Sequence, residues 1–149
     1  MPTGHIPPQL GNLSALEILD LRSNKLNELS NFIFIPRQIR IALLLAGPIP
    51  PELRSLSALE YLDLDDNQLS GPIPKELGAL SMLETLLLHG NKLTGEIPAS
   101  LGQLVKLETL VLTENKLSGE CPIPPELGKL AALKALLLWS NQLTGEKIC

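Results

Sequence analysis

One motif recurs so regularly in this chain that it leaves few folds open. Leu16, Leu19, Leu21, Asn24 and Leu26 share their spacing with Leu59, Leu62, Leu64, Asn67 and Leu69. The same spacing returns at Leu83, Leu86, Leu88, Asn91 and Leu93, at Leu107, Leu110, Leu112, Asn115 and Leu117, and at Leu133, Leu136, Leu138, Asn141 and Leu143. The step between Asn67, Asn91 and Asn115 is 24 residues. A unit of that length cannot bury its own apolar face, so copies must stack into a solenoid with one continuous core. The L-x-L portion alternates with period two, as a strand with one buried face does. Leucines three apart before it, such as Leu77, Leu80 and Leu83, suit a tight helical turn on the opposite side of the coil. Asn24, Asn67, Asn91, Asn115 and Asn141 stand where the chain leaves the strand. There a carboxamide can satisfy backbone groups of its own turn and of the next coil, which predicts an asparagine ladder.

Gly and Pro punctuate each coil, at Gly47-Pro48-Ile49-Pro50, Gly71-Pro72-Ile73-Pro74 and Gly95-Glu96-Ile97-Pro98. Gly permits unusual backbone angles and Pro fixes an extended one. Their recurrence also argues against an array of amphipathic helices, which the Leu101, Leu104 and Leu107 spacing would otherwise allow. Aromatic residues are only 3 % of the chain, so the core has to be aliphatic. We expect a single domain over residues 1–149, with about five full repeats and one irregular coil.

The longer consensus is more specific. Leu69 to Gly78 (Leu-Ser-Gly-Pro-Ile-Pro-Lys-Glu-Leu-Gly) and Leu93 to Gly102 (Leu-Thr-Gly-Glu-Ile-Pro-Ala-Ser-Leu-Gly) resemble the plant-type leucine-rich repeat. That subclass builds the ectodomains of receptor-like kinases and receptor-like proteins, and the polygalacturonase-inhibiting proteins. The resemblance covers nearly the whole chain except about Asn27 to Ala46. It implies an α/β solenoid: a right-handed superhelix with a parallel concave β-sheet and short helical or 3-10 turns on the convex side. It also implies recognition of a protein, peptide or co-receptor through the concave side, in signalling or recognition. The cysteine-rich caps, signal peptide, membrane helix and kinase that accompany such ectodomains are not in this sequence. The alternative is therefore a structural or assembly fragment of a larger receptor-like kinase or repeat protein. The resemblance suggests a cell-surface or extracellular setting, whereas the missing leader and span leave a cytoplasmic one open.

The repeat breaks twice. Asn24 and Asn67 are 43 positions apart, five fewer than two steps. Leu45-Ala46-Gly47 matches Leu93-Thr94-Gly95, so residues 27–46 read as a shortened, degenerate coil carrying both phenylalanines, Phe32 and Phe34. A poorly packed coil or bulge is the preferred reading; a docking loop and a translation artefact are the alternatives. The step from Asn115 to Asn141 is 26, with two extra residues near Gly119-Glu120-Cys121. Cys121 and Cys149 both follow an Asn-x-Leu-x-Gly turn in adjacent coils. Strands about 4.8 Å apart are compatible with a disulfide, but unequal register favours two free thiols.

In each strand the residues between the buried leucines face the concave surface. They are Ile18, Asp20 and Arg22 (then Ser23); Tyr61, Asp63 and Asp65 (then Asp66); Thr85, Leu87 and His89; Thr109, Val111 and Thr113 (then Glu114); and Ala135, Leu137 and Trp139. An acidic cluster thus lies at one level and an apolar patch ending in the single Trp at another. Exposed aromatics are favoured anchors, so Tyr61 and Trp139 lead the candidates. With them stand Arg22, Asp63, Asp65, Asp66, His89, Thr113 and Glu114. The competing role for Trp139 is covering the C-terminal end, and for the acids plain solubility.

The net charge of −4 lacks the basic footprint of a nucleic-acid binder and offers nothing to an anionic membrane. No secretory leader is evident, and the longest apolar run, Ile41 to Pro50, is too short to span a bilayer. Kinase-loop, P-loop and zinc motifs are not found, and no cofactor or metal is expected. Asp63 and Asp65 have the spacing of a glycosidase pair or a hard-cation site, but only the spacing, so catalysis is not expected. His5 and His89 read as lone surface residues. Asn12-Leu13-Ser14 is a glycosylation sequon on the convex side, relevant only to a secreted chain. Without evident caps, both ends could expose core and self-associate.

Overall fold

The computed structural model describes residues 3–22, 38–40, 44–119 and 123–144. The chain forms a stack of coils with two parallel sheets. The concave sheet contains β2 (Ile18–Asp20), β3 (Gln38–Arg40), β5 (Tyr61–Asp63), β7 (Thr85–Leu87), β9 (Thr109–Val111) and β11 (Ala135–Leu137). The second contains β1 (Thr3–Gly4), β4 (Leu44–Gly47), β6 (Gln68–Pro72), β8 (Lys92–Gly95) and β10 (Lys116–Leu117). Five 3-10 turns, Pro8–Asn12, Pro51–Ser55, Lys75–Ala79, Ala99–Gln103 and Pro125–Lys129, form the convex side. The leucine-rich-repeat solenoid is therefore the fold.

Leu19, Leu62, Leu86, Leu110 and Leu136 align across the concave sheet. The first four are fully buried. Each full burial contributes roughly 2 kcal/mol of transfer free energy, and the column repeats in every coil. A second column, Ile6, Ile49, Ile73 and Ile97, is 2 % exposed at each level. It comes from the Gly-x-Ile-Pro segments. The sequence suggested only punctuation there, yet the stretch before it is a ladder of its own. The fixed dihedral of Pro and the alternation around the buried leucine keep that stretch extended. On the convex side Gly78 and Gly102 let neighbouring turns approach: a Cβ at either would collide with the Ser100 or Glu126 carbonyl of the next coil.

The irregular segment is arranged differently from a coil in the stack. Strand β2 pairs with β5 on one side and with β3 on the other, so β3 lies outside β2, at the N-terminal edge. Leu19 and Leu62 are direct neighbours although 43 positions apart, 19 more than one repeat. The first coil stacks straight onto the coil of Tyr61, and the extra residues make an excursion between Leu21 and Leu45. Asn67 closes its two ends: Nδ2 donates to the Leu21 carbonyl at 2.9 Å, and Oδ1 accepts from the Leu45 N–H at 2.8 Å. Residues 23–37 and 41–43, including Asn24, Phe32 and Phe34, lie outside the described residues, as do Cys121 and Cys149.

Asn91, Asn115 and Asn141 repeat the Asn67 geometry. In each, Oδ1 accepts from the N–H of Leu69, Leu93 or Leu117 in the preceding coil at 3.0 Å. Each Nδ2 reaches the preceding coil's carbonyl, at Leu64, Leu88 or Leu112 respectively. The carboxamides thus join the exits of one sheet to the entries of the next.

Candidate binding face

The concave strands bring their outward residues into columns. Ile18, Tyr61, Thr85, Thr109 and Ala135 are in register, followed by Asp20, Asp63, Leu87, Val111 and Leu137. Beyond them come Arg22, Asp65, His89, Thr113 and Trp139. A polar network runs through these columns from the first coil to the fifth. Arg22 lies 3.2 Å from the Asp20 carboxylate and 3.7 Å from that of Asp63. The Tyr61 hydroxyl donates to Asp63 at 3.1 Å, and the Asp65 N–H donates to its other oxygen at 3.1 Å. Asp65 accepts the backbone N–H of His89 at 2.6 Å. The His89 Nδ1 is bonded to the Thr113 hydroxyl at 2.8 Å. Its Nε2 is 3.9 Å from Asp66, and its ring is tilted against Trp139 with centroids 6.3 Å apart.

Two of the nine candidate contact residues need correcting. Asp63 is 1 % exposed and Thr113 is 2 % exposed. Their oxygens are occupied by Tyr61, the Asp65 N–H and Arg22 in one case and by His89 in the other, so they position neighbours rather than meet a ligand. The occupied oxygens of Asp63 also remove the basis for reading Asp63 and Asp65 as a free acid pair. Arg22 is half-exposed but committed to Asp20 and Asp63. His89 is a half-buried junction, not a lone surface residue, and His5 bonds the Ala46 carbonyl at 2.8 Å. Asp66, Glu114 and Trp139 are exposed, and Tyr61 and Asp65 partly so.

Burial lifts the Asp65 carboxyl to about 6, the nearby Asp63 charge adds to it, and the His89 N–H opposes. Burial, then Asp63, pushes the Tyr61 phenol up to about 12, so it stays a neutral donor at physiological pH. After β5, β7, β9 and β11 the chain turns through a left-handed residue: Asp66, Gly90, Glu114 and Ser140, with φ of 54°, 64°, 54° and 55°. Only Gly90 is glycine, and it is also where a Cβ would come within 2.7 Å of the Asp66 carboxylate.

One feature of the face escaped the sequence reading. The residues just before the strands, Glu17, Glu60, Glu84, Glu108 and Lys134, form a column in which the N–H of each of the last four donates to the carbonyl of the one before it. The signal was the recurring Leu-Glu that opens each strand. Lys134 ends it with an ion pair to Glu108 at 2.8 Å. The strands therefore run between an acidic entry rim (Glu60, Glu84, Glu108) and an exit rim with Asp66 and Glu114. Between them the floor turns apolar at Leu87 and Val111, ending at Leu137 and Trp139, which are 43 % and 57 % exposed. Among the described residues no group of three His, Cys, Asp or Glu side chains could hold a metal, and no helix is long and apolar enough to cross a membrane. Asn12 of the sequon is exposed at the end of its convex 3-10 turn.

A parallel-sheet solenoid with a 24-residue repeat and an asparagine ladder defines a class, and comparison supports the same assignment. The leucine-rich-repeat family model matches residues 58–80 and 82–104. The ectodomain of the receptor kinase SOBIR1 from Arabidopsis thaliana is 31 % identical with a TM-score of 0.72, the match covering 97 % of this chain and 67 % of that one. A TDR receptor is 39 % identical with a TM-score of 0.77, over 97 % of this chain and 22 % of that one. The plant peptide hormone receptor RGFR1, solved with RGF2, is 30 % identical with a TM-score of 0.79, over 97 % and 20 %. This chain spans about a fifth of the length of those last two. No curated protein sequence matches it. The chain belongs to the leucine-rich-repeat family, and its structural neighbours are plant receptor ectodomains.

Proposed function

We propose that this chain is a protein- or peptide-binding module whose contact surface is the concave sheet. The observation that carries the reading is the combination of a continuous hydrogen-bonded network with an exposed Leu137–Trp139 pair on the same face. The network holds Tyr61, Asp65 and His89 in place before any partner arrives, which lowers the ordering cost of association. The aromatic anchor and its apolar neighbours are the kind of surface that dominates interface energetics. Leucine-rich-repeat domains and receptor ectodomains are typically non-catalytic binding modules, and neighbours such as RGFR1 are solved with peptide hormones. The residues we assign to contact are Tyr61, Asp65, Asp66, His89, Glu114, Leu137 and Trp139. Asp63 and Thr113 support them from beneath, and Arg22 is committed to Asp20 and Asp63.

The test compares Trp139→Ala combined with Asp66→Asn against a convex-face variant, Val105→Ser, in co-purification and cross-linking. A concave-face binder loses its partners in the first variant and keeps them in the second, with circular dichroism unchanged in both. Partners retained by the concave variant would refute the reading.

A second reading, an assembly role, is favoured by a specific observation. Leu133, Leu136, Leu138 and Leu143 are only partly buried, whereas their counterparts Leu83, Leu86, Leu88 and Leu93 are 0 % exposed. Among the described residues the last coil therefore presents core leucines and an edge of β11 with no strand paired to it, which a further coil or a second copy would cover. Concentration-dependent dimers in light scattering, abolished by Leu136→Lys, would favour it. A monomer at all concentrations would exclude self-association.

A further inference from the structure

Resting on the concave-face reading, we infer that the occupant of this face is an extended peptide segment with one cationic side chain followed, at alternate positions, by two apolar ones. The argument begins with charge. Arg22 and Lys134 are already paired, with Asp20 and Asp63 and with Glu108, and the further cation of the described concave strands, Arg40 of β3, stands in register with Asp20, two strands away from β5. Asp65, Asp66 and Glu114 remain on the exit side, and Glu60 and Glu84 on the entry side, with no described Lys or Arg in ion-pair contact. His89 is the one further group that could carry positive charge there, between Asp65, Asp66, Thr113 and Trp139. Asp66 and Glu114 are exposed at the mouth of the trough, so a partner's cation meets them without being stripped of water.

The order of the residues then sets the pattern. Acidic groups cluster at the coil of Tyr61, and the floor becomes apolar over the next three coils, through Leu87 and Val111 to Leu137 and Trp139. Three inter-strand steps of about 4.8 Å make about 14 Å. In an extended chain, residues i, i+2 and i+4 face the same way and span about 13 Å at 3.3 Å per residue. One cationic residue over Asp65 and Asp66 thus places the next two same-side residues over Leu87–Val111 and over Leu137–Trp139. Trp139 is the end wall of this track and, as the only Trp, a built-in reporter of occupancy.

The experiment titrates the full chain with an acetylated, amidated peptide, Ser-Arg-Ser-Leu-Ser-Leu, and follows Trp139 fluorescence at low and moderate salt. The control peptide carries Glu in place of Arg. Two charge-matched variants are compared: Asp66→Asn with Glu114→Gln on the concave exit rim, and Glu52→Gln with Glu76→Gln on the convex turns. We expect the Arg peptide to shift the fluorescence and the Glu peptide not to. We expect the concave pair to weaken binding about tenfold or more and the convex pair by less than about twofold, with the difference shrinking as salt rises. Equal responses to Arg and Glu peptides, or equal weakening by both variant pairs, would overturn the cationic pattern while leaving the concave face a binding surface. No fluorescence response to either peptide overturns the pattern as well. Whether the underlying reading then also fails is decided by the co-purification test, where partners retained by the Trp139→Ala, Asp66→Asn variant would remove it.

Discussion

The two ends of the stack carry the same leucine motif and bury it differently. At the N-terminal end Leu16, Leu19 and Leu21 are 5 %, 0 % and 0 % exposed, and β2 is paired along both edges, by β3 and by β5. At the C-terminal end the equivalent Leu133, Leu136 and Leu138 are only partly buried, and among the described strands β11 pairs with β9 alone. Leucines at equivalent positions of the repeat are thus core at one end and part surface at the other. What differs is the neighbour. In a solenoid each coil contacts only the coils beside it, so stability is a sum of nearest-neighbour terms and a coil lacking one neighbour leaves part of its core leucines exposed. The interface follows the same gradient. The buried Asp20 and Asp63, ion-paired with half-exposed Arg22, sit toward the paired end, and the exposed Leu137 and Trp139 toward the open one.

Core truncation is the strongest way to break this comparison. Leu86→Ala removes a fully buried side chain with coils on both sides and is expected to cost about 3–5 kcal/mol; Leu136→Ala, already part-exposed, about 1–2 kcal/mol. Equal shifts in urea midpoint would mean that the last coil is covered in solution. The asparagines come next. Asn67→Ala strands the buried Leu21 carbonyl and the Leu45 N–H, for about 2–4 kcal/mol, while the Leu64 carbonyl keeps the Asn91 Nδ2 donor. Asn141→Ala, at the part-buried end, should cost about 1 kcal/mol. Hydrogen exchange sharpens the test, because only Asn67→Ala should deprotect Leu45. Arg22→Ala removes the guanidinium that lies against the buried Asp63 and Asp20 carboxylates. Since Arg22 is itself half-exposed, the loss in urea midpoint should correspond to about 1–2 kcal/mol.

Asp65 gives a smaller effect with a defined sign. Its carboxyl is held at about 6 in the folded chain against an ordinary 3.8, so the native state binds its proton more tightly. The stability it contributes is fully present below about pH 3.8 and is lost as the pH rises through about 6. Asp65→Asn, which keeps an oxygen for the His89 N–H, should flatten that part of the stability profile and leave the neutral-pH protein slightly more stable. A variant profile that rises less steeply, or falls more steeply, than the wild-type profile between about pH 4 and 6 would contradict the assignment. Smallest of all, Trp139→Ala should change stability by less than about 0.5 kcal/mol, because its ring is mostly in solvent. A larger loss would make Trp139 a cover for the open end rather than a contact residue.

The sequence by itself determined the repeat, the class of fold, the strand that each L-x-L forms, and the columns on the concave face. These follow from period-two alternation and a fixed 24-residue step, which are properties of neighbouring residues and need no knowledge of distant ones. Tertiary structure alone decided three things. It placed β3 outside β2 rather than between β2 and β5, because pairing Leu19 with Leu62 keeps the core column continuous, and residue counting cannot distinguish a short coil from an excursion. It turned Asp63 and Thr113 from contacts into supports, because outward direction is set by the pleat, whereas exposure is set by what Arg22, Tyr61 and His89 do above them. And it made Trp139 and Leu137 surface, since burial in a stack is conferred by the next coil and not by the residue.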